Sequence, residues 1–225
     1  MPLGETQNSE QSSGARRVPE RLCVGCGRAG DARTMGCFVL IDGNLVVEGL
    51  FARRARQRPG RARGRGVHMH LRPACVGRAA RGMARVWKRD GRPLALELGP
   101  LLTAACEARM LALLRQARRS NALVAGGPDP TVEETLSPVP LWIVAVDAGP
   151  VATSAEVMRA VGEGRVIAWK TRRELGELMG EDSAAMCGVA NDGMARELQV
   201  LRLAADGGTA MTREGAGCSS ALEAR

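Results

Sequence analysis

The order of hydrophobic and polar residues predicts three strands and a helix in the first part of the chain. The stretch CFVLIDGNLVV, residues 37–47, has two β-rich arms around a central DGN and predicts a β-hairpin. The stretch VHMHL, residues 67–71, alternates and predicts a further strand. The stretch PACVGRAARGMARVWKR predicts a helix, because Pro73 suits a first turn. The positions of this helix predicted to face a core are Val76, Met83 and Val86.

Helical and strand patterns alternate after residue 100. The predicted order is helix LLTAACEARMLALLRQARR, strand ALVAG, a short acidic helix around TVEETL, strand LWIVAVDAG, helix TSAEVMRAVGE, strand RVIAWK, helix RRELGELMG, strand AAMCGVA and helix DGMARELQVLRL. This alternation implies a sheet with helices packed on it. The whole chain is therefore predicted to be an α+β protein of two domains. The predicted ranges are a disordered leader over 1–19, domains over 20–92 and 100–205, a linker over 93–99 and a disordered polar tail over 206–225.

Charge is distributed unevenly between the two predicted domains. Residues 1–99 hold 19 Arg or Lys against 8 Asp or Glu, whereas residues 100–225 hold 13 against 16. The first domain is therefore suited to a polyanion. Its most basic part is residues 53–66, which we call the arginine-rich segment. The guanidinium groups and glycine backbones predicted there to contact phosphate belong to Arg53, Arg54, Arg56, Arg58, Arg61, Arg63, Gly64, Arg65 and Gly66.

The predicted helix after this segment has cations of its own. Four arginines recur at steps of three and four residues and form one basic stripe: Arg78, Arg81, Arg85 and Arg89. Lys88 is added to the predicted nucleic-acid contacts. Segment and helix together predict one continuous phosphate-binding face. A solvated loop that only aids solubility is the alternative, and backbone charge by itself does not separate RNA from DNA.

Two parts of the chain resemble known families. Over roughly residues 20–90, RLCVGC, a hairpin and GRGVHMHLRPACVGRAARG resemble the YlxR family of small bacterial RNA-binding proteins, whose signature is RxCxxC and a GRGA(Y/W) turn. Over roughly residues 100–203, ARRSNALVAG and TRRELGELMG resemble the ribosomal L7Ae/L30e family, an α-β-α sandwich that binds kinked RNA. The resemblance implies a noncatalytic RNA-binding protein, linked to the ribosome and translation or to RNase P RNA. A DNA-binding, nucleoid-associated regulatory protein with the same basic surface is the alternative.

The second resemblance implies further RNA contacts at Arg118, Arg119 and Asn121. Asn121 and Ala122 stand where the family has Gly and then Lys. Asn tolerates the left-handed backbone conformation that Gly would adopt, but the charge of the lysine is lost. Acidic side chains follow at Asp129, Glu133 and Glu134, where relatives tend to be basic. This domain is predicted either to bind kinked RNA or to act as a packing or protein-interaction module.

The stretch CVGCG, residues 23–27, has the shape of a zinc knuckle, in which glycine lets backbone N–H groups turn toward the thiolates. A structural zinc site needs four ligands. The resemblance suggests His70 for the third ligand, because YlxR relatives often have Cys there, and Cys75 lies at the start of the basic helix. The predicted site is Cys23, Cys26, His70 and Cys75, which would fix the arginine-rich segment at both edges. A metal-free fold, as in other members of the family, and a redox-active thiol pair are the alternatives.

The sequence predicts no enzymatic activity, because it has two histidines and lacks HExxH, a P-loop and a nucleophile–base set. With two Phe, three Trp and no Tyr, an RNA-stacking sheet of RRM type is not expected. His68 is predicted either to stack on a base or sugar or to be an ordinary strand residue. The longest apolar run, LWIVAV, is far shorter than the ~20 residues of a membrane span. Seven cysteines without an export signal predict a cytoplasmic protein.

Overall fold

The computed structural model describes residues 19–51, 66–126 and 139–220, with side chains described as far as residue 213. Two small sheets and a helix form its first part. Strands β1 (Glu20–Leu22) and β2 (Ala29–Asp31) pair with each other, and β3 (Met35–Ile41), β4 (Asn44–Leu50) and β5 (Val67–His70) form an antiparallel sheet in the order β4-β3-β5. Helix α1 (Pro73–Trp87) then packs against β5.

The predicted hairpin is confirmed as β3 and β4. Ile41 pairs with Asn44, so the connection has two residues, Asp42 with φ 51° and Gly43 with φ 81°. Positive φ at both central positions is the requirement of a type I′ turn, whose twist matches that of the flanking strands. Phe38 and Leu45 are buried on the inner face, and they anchor the register of the pair.

A four-stranded sheet with helices around it forms the second part. Its elements are α2 (Gly91–Arg119), β6 (Leu123–Ala125), β7 (Leu141–Val144), α3 (Pro150–Thr153), α4 (Ala155–Gly162), β8 (Val166–Ala168), α5 (Arg172–Met179), β9 (Met186–Val189) and α6 (Asp192–Ser220). The strand order is β6-β9-β7-β8, and only the β7–β8 pair is parallel. Every residue of β7 and β9 is buried, as expected for strands covered on both faces. The predicted α+β class is confirmed, whereas the predicted acidic helix around TVEETL lies outside the described residues.

The linker predicted over 93–99 is wrong, because these residues belong to α2. Asp90 caps the helix by accepting a hydrogen bond from the N–H of Arg92. Pro93 falls in the first turn, where a backbone N–H has no partner within the helix in any case. Pro100 lies inside the helix on its exposed side, so water can reach the carbonyl group that a proline leaves without a donor. Leu94 and Leu98 are fully buried, and their burial stabilises the helix through this region.

The tail predicted over 206–225 is also wrong as far as residue 220, because α6 continues to Ser220. Glycines in this stretch serve close packing. A Cβ on Gly208 would lie 2.8 Å from the carbonyl oxygen of Gly99, so the two longest helices, α2 and α6, approach each other closely at these positions. A Cβ on Gly207 would meet Val76 of α1 at 3.3 Å. Buried residues of both predicted domains consequently form one hydrophobic cluster. None of the helices in the described ranges is both long and apolar enough to cross a membrane.

Candidate metal centre and nucleic-acid interface

Four side chains with metal-ligating atoms come together at the junction of three elements. Cys23 and Cys26 belong to the loop between β1 and β2, His70 ends β5, and Cys75 lies in the first turn of α1. Their ligand atoms all lie within 4.8 Å of one another. The structure thus brings together all four residues that the sequence predicted for a metal site, and this cluster could hold a metal ion.

The spacing of the ligand atoms suits a small tetrahedral ion. The Sγ of Cys26 lies 3.5 Å and the Sγ of Cys75 4.0 Å from Nδ1 of His70. With Zn–S bonds of about 2.3 Å and Zn–N bonds of about 2.0 Å, tetrahedral ligand atoms are separated by about 3.6–3.8 Å. Only small shifts of the side chains would therefore complete the coordination. Nδ1 is the ligand nitrogen in this arrangement, because Nε2 is turned toward Gly30.

Backbone packing holds the knuckle loop against β5 and α1. The N–H of Val24 donates to the carbonyl oxygen of His68 at 2.9 Å, and the N–H of His70 donates to Sγ of Cys23 at 3.3 Å. Two glycines permit the close approach of the loop to α1. A Cβ on Gly25 would overlap the backbone of Cys75, and a Cβ on Gly82 would overlap the carbonyl oxygen of Val24. These contacts place the four ligand side chains next to one another.

The electrostatics of the cluster favour a bound cation. Burial, and then the neighbouring Cys23, raises the pKa of the Cys75 thiol to about 12. By contrast, the backbone N–H of Arg28 lowers the pKa of Cys26. Burial lowers the pKa of His70, so its imidazole is neutral and free to bind a metal. A divalent ion among these side chains would favour deprotonation of the thiols, and its charge would offset the mutual repulsion of the resulting thiolates.

The position of the knuckle differs from that of redox-active thiol pairs. Such pairs owe their low pKa to the N-terminus of a helix or to a cationic neighbour. Here both cysteines of the loop lie between two strands and not at the N-terminus of a helix. Arg28 lowers the pKa of Cys26, whereas Cys75, the thiol at the start of α1, has a raised pKa. This geometry favours the metal site over the redox pair.

Comparison with known proteins adds nothing to these observations. No family model, curated protein or solved structure matches this chain. YlxR and L7Ae/L30e remain resemblances at the sequence motifs quoted above. The function is therefore inferred from the geometry and charge of the described residues.

Helix α1 presents an exposed row of cations on the side opposite its buried face. The exposed side chains are those of Arg78, Arg81, Arg85 and Lys88, and none of them has a hydrogen bond or ion pair to another described residue. Lys88 is the C-cap residue directly after α1. Arg89 does not belong to this row, because its side chain donates to the carbonyl oxygen of Gly43 at 2.8 Å. Val86, predicted to face the core, is 42% exposed, whereas Val76 and Met83 are fully buried. The helix turns about 100° per residue, and this turn leaves Val86 at the edge of the apolar stripe.

The arginine-rich segment lies between two described strands. Its predicted contacts from Arg53 to Arg65 lie outside the described residues, whereas Gly66 and His68 are described. His68 is half-buried on β5, where it pairs with Cys37. Burial, followed by the charge of Arg21, lowers the pKa of His68, so this imidazole is neutral at physiological pH. The position is that of an ordinary strand residue with one edge still accessible.

A second group of cations lies at the end of α2. Arg118 and Arg119 are exposed, and Asn121 has φ 52°, which confirms the left-handed conformation expected where the family has Gly. A cleft of about 570 Å³ adjoins them. It is lined by Leu111, Arg115, Arg118, Arg119, Lys170, Glu174, Glu177 and Leu178. The mixed charges weaken this cleft as a phosphate site, because Lys170 is paired with Glu174 at 2.9 Å.

Sequence reasoning missed the glycines that seat the knuckle and a larger cleft beside the metal cluster. In the sequence, Gly82 alone does not indicate a close contact, because a glycine within a helix often has no packing role. The second cleft, of about 900 Å³, lies where β2 and the start of α1 face α6. Arg72 of this cleft stands between two predicted ligands, and that neighbourhood in the sequence could have drawn attention to it. Phe51 and Arg196, which also line it, come from distant parts of the chain and gave no such indication.

Proposed function

We propose that this chain is a noncatalytic RNA-binding protein that grips structured RNA, such as ribosomal or RNase P RNA, with the arginine-rich segment and the exposed cations of α1. A zinc ion bound by Cys23, Cys26, His70 and Cys75 holds the two basic elements together. The observation that supports this most is the position of the cluster. Its ligands come together where β5, the strand that follows the arginine-rich segment, ends and where α1 begins.

The donor set supports zinc among the metals. Three thiolates and one imidazole are a soft set that suits zinc, and hard cations such as Mg²⁺ prefer oxygen ligands. Four protein ligands also leave no open coordination position, which is typical of structural sites and agrees with a noncatalytic role. The ion would tie the loop at Cys26 to β5 and α1.

The charge of α1 supports a phosphate-binding role. Its four exposed cations have no partners among the described residues, so they are free to pair with an external anion. Three of them are arginines, whose planar forks can bind phosphate in a bidentate manner. Such a surface recognises the backbone and shape of a structured RNA, while sequence preference has to come from elsewhere.

Binding of a folded RNA to the full-length protein tests the RNA part of the proposal. The probe is RNase P RNA or a ribosomal RNA fragment, with duplex DNA as competitor, and affinity is measured over a range of salt concentrations. Replacing Arg78, Arg81 and Arg85 together with Ala should flatten the slope of log K against log salt by about 2–3, because each lost phosphate contact removes about 0.7–0.9. Neutralising the seven arginines of 53–65 should abolish binding.

A matched variant controls for the loss of net charge. Arg159, Arg173 and Arg213 are exposed arginines outside the predicted interface, and replacing all three with Ala changes the net charge equally. This control should bind RNA with the wild-type salt slope. Equal effects of both triple variants, or displacement of the RNA by duplex DNA at lower concentration than by unlabelled RNA, would contradict the proposal.

Metal content tests the zinc part separately. Protein purified without added metal is analysed by mass spectrometry, and we expect one zinc per chain. The Cys26→Ser variant should lose it, whereas Cys37→Ser should retain it, because the Cys37 thiol is a non-ligand that donates to Glu48 at 3.2 Å. A folded wild-type protein without metal would refute this part.

A further inference from the structure

The larger cleft combines an apolar floor with cations at its rim. It has a volume of about 900 Å³, which falls within the range of ligand sites in proteins. The lining of the cleft includes the apolar side chains of Phe51, Leu71, Val200 and Leu203. It also includes the cationic side chains of Arg72 and Arg196. Leu203 is 52% exposed, so its side chain is presented to whatever enters the cleft.

Phe51 has an uncommon backbone conformation at this cleft. Its φ is 53°, a region that a bulky aromatic residue seldom adopts. A hydrogen bond from its N–H to the carbonyl oxygen of Met35, at 3.2 Å, holds it there, and its ring packs partly on the core. Such strained positions persist where the surrounding structure fixes them, and they cluster at binding sites. In the sequence, Arg53 and Arg54 of the arginine-rich segment follow Phe51 directly after Ala52.

The charges of the cleft leave two arginines available. Its two carboxylates are already engaged, Asp31 with Arg33 at 2.7 Å and Glu197 with Arg109 at 2.6 Å. The guanidinium groups of Arg72 and Arg196 have no hydrogen bond or ion pair within the described part of the chain. The cleft is therefore complementary to a ligand that is apolar and flat at one end and anionic at the other.

We propose that this cleft binds an unpaired nucleotide of a single-stranded RNA segment. The base lies against Phe51 and Leu203, and the flanking phosphates pair with Arg72 and Arg196. Bases released from a helix stack on aromatic rings and arginine planes in this way, whereas a duplex keeps its bases inside and cannot enter a concave site. The inference rests on the proposed RNA binding and adds where an unpaired base would be held.

The cleft adjoins the metal centre. Arg72 lies two residues after His70 and three before Cys75, at the N-cap of α1, and His70 itself lines the cleft. A metal ion that fixes both ligands also fixes the backbone from which Arg72 extends. Zinc loss should therefore weaken nucleotide binding, because it releases the backbone that positions Arg72.

The test uses full-length, zinc-loaded protein and a fluorescent oligouridylate of about ten nucleotides, a length typical of single-strand sites. Arg196→Ala should lower affinity about tenfold, which corresponds to about 1.4 kcal/mol, and should reduce the salt slope by about 0.7. Leu203→Gln should lower affinity about fivefold without changing the slope, because it removes apolar contact but no charge. A strand with 4-thiouridine at its centre should cross-link to peptides that contain Phe51 or Leu203.

Two matched variants on α4 serve as controls. Arg159 is an exposed arginine without a partner among the described residues, and Met158 is 59% exposed, so Arg159→Ala and Met158→Gln repeat the same chemical changes outside the cleft. Both should bind oligouridylate as the wild type does. All four substituted side chains are exposed, and thermal melting of each variant confirms that it folds.

The outcomes separate this inference from the proposed function. If the wild type binds oligouridylate and both cleft variants bind it unchanged, the cleft is not the site, and the proposed function stands. If the wild type binds neither folded RNA nor oligouridylate, the proposed function fails. Equal binding of an oligothymidylate supports a nucleotide site that does not use the 2′-hydroxyl, and binding of the deoxy strand alone overturns the assignment to RNA.

Discussion

The two parts of the molecule hold their strands in different ways. In the sheet of the second part, every residue of β7 and β9 is buried, and helices cover both faces. In the first part, β1 and β2 have three residues each and have no fully buried side chain. The knuckle beside them instead contributes a buried thiol at Cys23, which meets His70 from the other sheet. β7 and β9 are held by apolar burial on both faces. β1, β2 and the knuckle loop have metal-ligating groups instead, although β3, β5 and α1 beside them bury Phe38, Met69 and Met83 in the shared cluster.

The two sheets differ in how much apolar surface they bury. β7 and β9 are buried at every position, whereas two strands of three residues bury too little apolar surface to stabilise themselves. Cys23 and His70 are separated by 47 residues, and their contact closes a long loop. An ion bound across such a loop contributes its binding free energy to folding, because the unfolded chain has no preformed site. β1, β2 and the knuckle loop should therefore depend on metal, whereas β7 and β9 should not.

Metal removal has the largest expected effect and tests this comparison directly. Treating the protein with a strong zinc chelator should lower its stability by about 3–5 kcal/mol, or about 6–20 °C in Tm, through loss of β1, β2 and the knuckle loop. Amide hydrogen exchange should locate the change. Amides of β1, β2 and the start of α1 should exchange faster, while those of β7 and β9 stay protected.

Two cysteine variants control for chelation itself. Cys75→Ala removes a ligand, so its stability should no longer respond to the chelator. Cys106→Ala removes a fully buried thiol of α2 that has no ligand role, and it should cost about 1 kcal/mol and remain sensitive to the chelator. An identical chelator response in both variants would show that the cluster is not the metal site.

Two glycines of α1 give the next largest expected effect. A methyl group on Gly82 would overlap the carbonyl oxygen of Val24, whereas one on Gly77 would meet nothing within 4 Å. Gly82→Ala should therefore displace the knuckle loop, cost about 2–3 kcal/mol and weaken zinc binding. Gly77→Ala should raise stability by about 0.5–1 kcal/mol, because Ala suits a helix better. Urea unfolding and zinc competition with a coloured chelator measure both effects.

The opposite signs are the sharpest part of this prediction, since the two changes are chemically identical and lie on one helix. If Gly82→Ala were as stabilising as Gly77→Ala, the loop would not depend on its close contact with α1. The second part of the molecule should be unaffected, so the rate of amide hydrogen exchange in β9 should be the same in both variants.

Local patterns predicted most of the elements, and long-range contacts accounted for the errors. The hairpin was predictable because DGN fits a turn with two positive φ values. The four ligands were predictable from CxxCG and from the resemblance at His70. The linker predicted over 93–99 and the tail predicted over 206–220 are wrong, because both stretches belong to long helices. Gly99 and Gly208 in fact permit two helices to touch, and no local pattern contains that information.

The larger cleft, which Phe51 helps to line, could not be predicted from the sequence for a related reason. Its walls come from β2, from the end of β4, from the start of α1 and from α6. These elements meet only because the basic and acidic halves of the chain share one hydrophobic cluster. A division into two independent domains, as the change in charge suggests, gives no reason to expect a site between them.

The smallest expected effect lies at the N-terminus of α5, where the second part relies on ordinary helix capping. The Thr171 hydroxyl accepts a hydrogen bond from the N–H of Glu174, and the Glu174 carboxylate accepts one from the N–H of Thr171 at 2.9 Å. Thr171→Ala should cost about 1 kcal/mol. Zinc content and the response to chelator should stay unchanged, since this cap has no link to the metal centre. A change in either would contradict the separation of the two modes of stabilisation.

The same cap has a pH dependence whose sign follows from the carboxylate. The backbone N–H of Thr171, and then Lys170, lower the pKa of Glu174 from 4.5 to about 2. Because the folded pKa lies below the unfolded one, the contribution of this carboxylate is fully present above pH 4.5 and is lost as the pH falls toward about 2. Glu174→Gln should therefore be less stable than the wild type at pH 7, and the difference should shrink when urea unfolding is repeated at pH values below 4.5. A constant difference across that range would show that the charge of Glu174 does not stabilise the cap.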